Sequence, residues 1–283
     1  MTEKLPIADW RLRILDGWDK GDSSREHGAN VSGKSFQRMK NFELLSFADA
    51  DELAGAVAEA WLHEIELANR AGKGLCVALS GGRITHKFFE QTVEKARERA
   101  VSFHRVHFFW ADERCVPPTD SESNFKLAND LLFEPLKISK NHIHRILGEK
   151  SPQTALQAAE EELSHFASTD KSGRPLLDLI FLGMGEDGHV ASLFQNAMLT
   201  LSNDAKSNGS FIFVENSPKP PPRRISLSFN AIVGAKSVWV LVSGSGKEAA
   251  LKESLGKGRT PLARVIQARA VTKIFSDIQG VVG

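Results

Sequence analysis

The chain has 283 residues, of which 41% are hydrophobic, and this supports the core of one large or two smaller globular domains. Its 36 basic and 35 acidic side chains leave a formal charge of +1, which excludes a chain-wide nucleic-acid or membrane footprint. Two cysteines without zinc spacing, no signal peptide and no apolar run of membrane-helix length predict a cytoplasmic protein.

The first forty residues differ in character from the rest of the chain. Residues 1–40 have a middle rich in Gly, Ser and charge, so we predict an N-terminal extension that is partly flexible. From Phe42 onward, short apolar runs alternate with amphipathic stretches, and no later break separates domains. We therefore predict a single α/β domain over residues 41–283.

Periodicity and capping residues predict the order of elements in this domain. Helices are predicted over residues 49–72, 84–99, 123–132, 151–167 and 246–255. Strands are predicted over residues 75–80, 106–114, 142–147, 178–182, 211–214, 225–229, 238–242 and 272–275. This alternation favours a mainly parallel open sheet with helices on both faces, and ligands in such sheets lie beyond the carboxyl ends of the strands.

The segment GMGEDGH, residues 183–189, follows a predicted buried strand and has the G-x-G-x-x-G spacing of a dinucleotide site. Glu186 and Asp187 argue against that interpretation, because they would point negative charge at a pyrophosphate. Asp187 precedes His189 by two residues, so its carboxylate can orient the imidazole and raise its basicity, as in a general base. A lone histidine is more often structural, and a metal site through Asp112, Asp187 and His189 lacks a second His or a Cys.

Three further clusters follow predicted strands, and each allows a structural or a functional interpretation. SGGR, residues 80–83, is either a tight strand-to-helix turn or an anion cradle at a helix N-terminus. Lys247 in GSGK, together with Arg223 and Arg224, adds cations that could bind a phosphate. ADER, residues 111–114, is either a salt-bridged turn or a site in which an acid orients a polar group and Arg114 binds an anion.

Taken in chain order, several segments resemble the 6-phosphogluconolactonase family and, more distantly, glucosamine-6-phosphate deaminase; they are ALSGGR, FFWADERCVPPTDSESNFKLA, DLIFLGMGEDGHVASLF, PPPRRISLSF and GSGK. The resemblance runs from about Phe42 to Asp277 and implies a Rossmann-like fold of the sugar-phosphate isomerase type. It implies hydrolysis of 6-phospho-D-glucono-1,5-lactone to 6-phosphogluconate in the oxidative pentose phosphate pathway, without a cofactor or metal. The chain departs from the family pattern at residues 83–85 and at Gln195.

The resemblance also implies a role for each candidate residue. His189 is expected to take a proton from the water that attacks the C1 carbonyl, with Asp187 orienting the imidazole. Asp112 is expected to position water or sugar hydroxyls. The phosphate is expected to be bound by Ser80, Gly81, Gly82, Arg83, Arg114, Arg224 and Lys247.

Two other functions remain open from the sequence. An amino-sugar phosphate deaminase or isomerase needs a further carboxylate shortly after the histidine, whereas the next acid here is Asp204. A non-catalytic sugar-phosphate sensor would bind its ligand without turnover. The expected partner is in each case a small sugar phosphate, with no nucleic acid and no membrane, and the protein is expected to be a monomer or a small homo-oligomer.

Overall fold

The computed structural model describes residues 35–195 and 209–281. Its strands are β1 (Ser35–Arg38), β2 (Phe42–Ser46), β3 (Leu75–Leu79), β4 (Val106–Trp110), β5 (Asp112–Arg114), β6 (Ser168–Thr169), β7 (Pro175–Leu176), β8 (Leu179–Gly183), β9 (Phe211–Val214), β10 (Arg224–Leu227), β11 (Ser237–Val242) and β12 (Thr272–Ser276). Its helices are α1 (Ala50–Arg70), α2 (Arg83–Glu98), α3 (Asn124–Ala128), α4 (Glu134–Leu136), α5 (Pro152–Phe166), α6 (Phe229–Gly234), α7 (Glu248–Leu255) and α8 (Pro261–Ala268). A π-helical turn over Asn129–Phe133 joins α3 to α4, and a 3₁₀ turn covers Lys140–His142.

The central sheet has seven strands in the order β1-β2-β12-β11-β8-β3-β4. All neighbours in it are parallel except β1 and β2. Leu179 to Leu182 of β8 are all buried, and since successive side chains point to opposite faces, both faces of the sheet are covered. The predicted mainly parallel sheet with helices on both faces is confirmed.

The longest helix, α1, shows how local sequence signals and packing agree. The Asp49 side chain accepts hydrogen bonds from the backbone N–H groups of Asp51 and Glu52, which satisfies donors that the first turn leaves free. The apolar stripe of α1 is buried, and its Trp61 ring lies 5.1 Å from the Phe181 ring of β8. Burying such a side chain completely contributes roughly 1.5–3 kcal/mol to stability, so α1 is held by the sheet more than by its own propensity.

The predicted strand over 106–114 is two strands in two sheets. The chain turns at Ala111, whose N–H donates to Leu79 O at 2.7 Å and whose carbonyl accepts from Leu227 N at 2.7 Å. The following strand, β5, pairs antiparallel with β10 in a three-stranded sheet ordered β5-β10-β9. The acidic and basic side chains after Ala111 therefore leave the main sheet and lie beside the predicted arginine strand.

Other element predictions are corrected by tertiary contacts. The strand predicted over 142–147 is wrong, because only one bridge, between Phe108 and Ile143, follows the 3₁₀ turn. The strand predicted over 225–229 ends earlier, because the Ser228 hydroxyl caps α6 by accepting from Ala231 N. The strands β1, β2, β6 and β7 and the helices α4, α6 and α8 were not predicted.

The edge strand β1 bears on the division of the chain. Residues 35–38 pair with β2, although the sequence prediction assigns residues 1–40 to an extension. Residues 1–34 and 196–208 lie outside the described residues, so the division into extension and single domain stays a prediction. Within residues 35–195 and 209–281, no helix is long and apolar enough to cross a membrane.

The order of the parallel strands determines where the predicted clusters meet. The neighbouring strands β11, β8 and β3 run in the same direction and are followed by GSGK, GMGEDGH and SGGR, respectively. Their carboxyl ends lie at one edge of the sheet, so these loops form one surface. ADER adjoins it at the end of β4, the neighbour of β3.

Candidate active site

The glycines of the GMGEDGH loop serve the turn that holds His189. Gly185 N donates to His189 O at 2.9 Å, and Gly188 N donates to Gly185 O at 3.0 Å. A Cβ atom at Gly185 would lie 2.1 Å from the His189 ring, and Gly188 has a φ of +76°, a conformation that glycine adopts without strain. The glycine spacing that resembles a dinucleotide site is thus explained by a tight turn whose backbone packs against the His189 imidazole.

Asp187 and His189 form a hydrogen-bonded pair in this loop. Asp187 Oδ1 accepts from His189 Nδ1, and the exposed fractions of the two side chains are 47% and 14%. Burial lowers the pKa of His189, against the opposing effect of Asp187. Burial acts to raise the pKa of Asp187, but the hydrogen bond and charge of His189 outweigh it and hold that pKa below its usual range. At neutral pH the pair is a carboxylate and a neutral imidazole.

The tautomer of His189 follows from this hydrogen bond. A carboxylate only accepts, so Nδ1 carries the proton and Nε2 carries the lone pair. Among the residues that the structure describes, Nε2 of His189 has no hydrogen-bond partner. The nitrogen available to accept a proton is therefore Nε2, which the described part of the chain leaves without a partner.

Asp112 lies behind the histidine loop and is bound by protein groups. Its side chain accepts from Ser192 Oγ at 2.6 Å, and its carbonyl accepts from Asn124 Nδ2 at 2.8 Å. With 5% of the residue exposed, this geometry favours a role in joining loops over direct contact with water or sugar hydroxyls. Asp112 is close to the Asp187–His189 pair, but unlike that pair it is buried and its side chain is occupied by a protein donor.

Arg224 is also buried, with 4% of the residue exposed. Its Nε donates to Pro221 O at 3.0 Å, and its Nη2 donates to Lys219 O and Pro220 O at 3.0 and 3.1 Å. Its Nη1 lies 3.4 Å from Ser192 Oγ and faces the Asp112 carboxylate. Since each nitrogen faces a protein acceptor, the geometry disfavours the predicted binding of phosphate by Arg224.

Arg114 is the neighbour of Arg224 across the β5–β10 pair. Its Nη1 donates to the Glu122 carbonyl and lies 3.5 Å from the Glu122 carboxylate, while its buried Nε has no partner among the described residues. Glu113, between Asp112 and Arg114, accepts from Asn124 N and Phe125 N and thereby caps α3. Sequence reasoning assigned no role to this buried glutamate, whose pKa is raised by burial.

The SGGR turn presents an uncapped helix N-terminus to the loop surface. Ser80 Oγ donates to Phe181 O at 2.8 Å, and Gly82, with a φ of +117°, is the N-cap of α2 without a side-chain cap. Within residues 35–195 and 209–281, the first-turn N–H groups of α2 therefore have no side-chain acceptor, and they can bind an anion. A Cβ at Gly81 would lie 2.0 Å from Asn124 Oδ1, so any larger residue here would displace the buried Asn124 side chain.

Two cations flank this turn. The Arg83 side chain is 78% exposed and lies 3.8 Å from Glu186 Oε1. The pKa of half-buried Lys247 is lowered by burial and by the charge of Arg83, and is partly restored by Glu186. Arg83 and Lys247 repel each other beside the uncapped N-terminus of α2, and an anion bound there would offset this repulsion.

Lys219 is a cation near the site that sequence reasoning missed. Its charge lowers the pKa of His189 and also that of Lys247, so it acts on both the Asp187–His189 pair and the candidate phosphate-binding residues. The available signal was its place in SPKPPP, immediately before the arginines that were noted. Among the residues described, no group of three or more His, Cys, Asp and Glu side chains could hold a metal ion.

The profile of the family described as glucosamine-6-phosphate isomerases/6-phosphogluconolactonase matches residues 48–274. The chain belongs to this family. It is 32% identical to 6-phosphogluconolactonase of Mycobacterium leprae over 230 residues, which cover 80% of this chain and 90% of that one. It is 34% identical to 6-phosphogluconolactonase of Treponema pallidum over 174 residues, covering 62% of this chain and 69% of the relative.

The fold agrees with this family assignment. The crystal structure of 6-phosphogluconolactonase from Thermotoga maritima superimposes with a TM-score of 0.66 at 28% identity, covering 83% of this chain and 98% of that one. The resemblance inferred from the motifs is therefore confirmed at the level of family and fold.

Proposed function

We propose that this chain hydrolyses 6-phospho-D-glucono-1,5-lactone to 6-phosphogluconate. The observation that carries the proposal is the Asp187–His189 pair, which lies at the same edge of the sheet as the uncapped N-terminus of α2. A general base beside an anion cradle suits a phosphorylated ester. The relatives from Treponema pallidum and Mycobacterium leprae are 6-phosphogluconolactonases, which supports the same substrate.

In the proposed mechanism, the phosphate anchors the substrate at the cradle formed by residues 80–83 and Lys247. Arg83 adds charge at the exposed side of the cradle. This anchoring presents the far end of the sugar, where C1 lies, to His189. Holding the substrate in one orientation converts the attack of water into an effectively intramolecular step.

The chemical step needs one proton carrier. As water adds to C1, Nε2 of His189 takes its proton, and Asp187 stabilises the imidazolium that forms. The tetrahedral oxyanion then collapses, the bond between C1 and the ring oxygen breaks, and the imidazolium returns the proton to the departing oxygen. The products are a C1 carboxylic acid, which ionises in water, and a C5 hydroxyl.

The charge of Lys219 acts on His189, and Lys219 is not part of the phosphate cradle, so we assign it to the negative charge that develops at C1. Asp112 and Arg224 hold the surrounding loops, which replaces the direct roles predicted for them from the sequence. The reaction transfers no electrons, so it requires no redox cofactor. A positioned base contributes about 10² to 10⁴ in rate, which suits an already activated ester.

The decisive experiment is hydrolysis of freshly generated 6-phosphogluconolactone, coupled to 6-phosphogluconate dehydrogenase, with the spontaneous rate subtracted. Acceleration over background is expected for the phosphorylated lactone. The unphosphorylated gluconolactone, measured beside it by acid release, should be a much poorer substrate because the cradle binds phosphate. No acceleration with either lactone, together with turnover of glucosamine 6-phosphate, would overturn the proposal in favour of the isomerase branch of the family.

A further inference from the structure

Phe194 and Arg224 form a buried layer directly behind His189. We propose that they are positioning residues, in which Arg224 fixes the Phe194 ring and the Lys219 loop, and Phe194 fixes the imidazole of His189 for proton transfer. This inference rests on the proposed function and deepens it. It assigns Arg224 to the orientation of the base instead of to the phosphate.

The imidazole lies in a slot. The Phe194 ring, in a residue that is 3% exposed, lies with its centroid 4.4 Å from that of His189 at an interplanar angle of 37°. The backbone at Gly185 forms a second wall, so close that a Cβ there would lie 2.1 Å from the imidazole. The Nδ1 atom of His189 is also bonded to Asp187, so three contacts together restrict rotation of the imidazole.

Phe194 is itself held by Arg224. The guanidinium carbon lies 5.8 Å from the centroid of the Phe194 ring, within the range of a cation–π contact. Ser192, two residues earlier in the same segment, donates its hydroxyl to Asp112 at 2.6 Å, and Asp112 is the counter-ion of Arg224. The Ser192 hydroxyl and the Phe194 ring of this segment thus both contact one buried ion pair.

Arg224 also shapes the electrostatic surroundings of His189. The charged groups that act on the imidazole are Asp187, Lys219 and Asp112. Arg224 accounts for the placement of Lys219, because its Nη2 donates to the Lys219 carbonyl. Loosening either Arg224 or Phe194 admits water beside the imidazole and removes the burial that disfavours its protonation.

The test uses Phe194→Leu, which keeps an apolar side chain but removes the ring. We expect kcat for the lactone to fall by about two- to tenfold, which is the loss of an aromatic contact of about 0.5–1.5 kcal/mol converted at about 1.4 kcal/mol per tenfold in rate. KM should stay within about twofold, because the phosphate cradle is intact. The matched control is Phe166→Leu, since Phe166 stacks on His144 and His107 and not on His189; it should leave both constants unchanged.

A second readout does not depend on turnover. In ¹⁵N-histidine NMR of the full chain, the pKa of His189 should rise in Phe194→Leu and stay at the native value in Phe166→Leu. An unchanged His189 titration and an unchanged kcat pH profile in Phe194→Leu would overturn the proposal. A native protein without lactonase activity that still shows this shift would contradict the proposed function while supporting the positioning role.

Arg224→Lys separates positioning from phosphate binding. Inorganic phosphate, used as a competitive inhibitor, should bind Arg224→Lys within about twofold of native, whereas Lys247→Ala should weaken it at least tenfold. The Arg224→Lys protein should instead show the lowered kcat and raised His189 pKa of Phe194→Leu. Loss of phosphate inhibition in Arg224→Lys with a native His189 titration would overturn the assignment, and if that variant does not fold, Phe194→Leu decides.

Discussion

Two regions of this molecule place a histidine between a carboxylate and a phenylalanine. In the first, His189 contacts Asp187 and Phe194. In the second, His144 Nδ1 lies 2.6 Å from Glu162 Oε2, and its ring centroid lies 4.2 Å from that of Phe166. Residue types and contacts are nearly the same in both regions.

The difference lies in the second ring nitrogen. His144 Nε2 lies 2.9 Å from His107 Nδ1, so both nitrogens of His144 are occupied. The centroid of the His107 ring lies 4.7 Å from that of His142, so His107, His142 and His144 form a histidine cluster at the edge strand β4, which contains His107. His189 instead follows the carboxyl end of β8 with Nε2 unpaired among the described residues. An imidazole–carboxylate pair is suited to catalysis only where the other nitrogen remains free at the ligand edge.

The largest expected effect comes from removing each histidine in turn. His189→Ala should lower kcat for the lactone by about 10² to 10⁴, which is the contribution of a positioned base. His144→Ala should leave kcat within about twofold, because both nitrogens of His144 bond to protein groups. Steady-state kinetics of both variants, with circular dichroism to verify folding, make the comparison. An equal fall in kcat in the two variants would contradict the assignment of catalysis to His189 and of a structural role to His144.

Removing the charge of Asp187 should lower kcat and removing that of Glu162 should not, with a smaller effect than for the histidines. Asp187→Asn keeps the size of the side chain but removes the charge that supports the imidazolium, and kcat should fall by roughly 10- to 100-fold. Glu162→Gln should leave kcat unchanged, since Glu162 faces the histidine cluster. The measurement is kcat across pH 5 to about 9. A native kcat in Asp187→Asn would show that the carboxylate does not assist the base.

The phosphate cradle should affect binding more than turnover. Lys247→Ala should raise KM by about 10- to 100-fold with kcat nearly unchanged, because a charged hydrogen bond remote from C1 contributes mainly uniform binding. Lys252→Ala, on the exposed face of α7, is the matched control. Initial rates over a range of lactone concentrations separate the constants. A selective fall in kcat would place Lys247 at the reacting carbonyl.

The smallest effect concerns stability in acid, and it belongs to the histidine cluster. Burial, with the charges of His142 and His144, lowers the pKa of His107 from 6.5 to about 4. Between pH 6.5 and about 4 the unfolded chain therefore binds a proton at His107 that the folded chain does not bind. The folded state keeps its full stability above pH 6.5 and loses this part of it as the pH falls towards about 4. With allowance for solvent screening, the loss is about 1 kcal/mol.

Urea unfolding at a series of pH values checks this prediction. The free energy of unfolding of the native chain should decrease between pH 6.5 and about 4, the interval between the unfolded and folded pKa values. His107→Gln should have a smaller slope in that interval. Identical slopes would assign the acid sensitivity to other groups.

Regions where local signals and packing agree were predictable from the sequence. The helix α1 was predicted from its Asp49 cap and apolar stripe, and β8 from a continuous apolar run. The strand predicted over 142–147 failed because His142 lies in a 3₁₀ turn and both ring nitrogens of His144 form hydrogen bonds with side chains, those of Glu162 and His107. Periodicity over so few residues carries no information about the partner of a strand.

In the candidate site, too, some contacts were predictable from the sequence and others were not. The pairing of Asp187 with His189 was predictable because the two residues are neighbours in the chain and Gly185 and Gly188 allow the turn. The surroundings of Arg224 were not, because its acceptors depend on how the Lys219 loop and Ser192 approach β10. A basic residue after prolines has the same local pattern whether it binds phosphate or carbonyl groups.

By itself, the sequence determined the parallel α/β architecture, the family and the Asp187–His189 pair, because each depends on patterns within a short stretch or on long motifs. Only the tertiary structure decided which charged groups remain available to a ligand. Asp112 and Arg224 are neutralised against each other in the interior, whereas Arg83 lies at the surface and Lys247 at the same loop edge. The reason is physical: a buried charge is stable only when paired and hydrogen-bonded, and the partners of these charges come from distant parts of the chain.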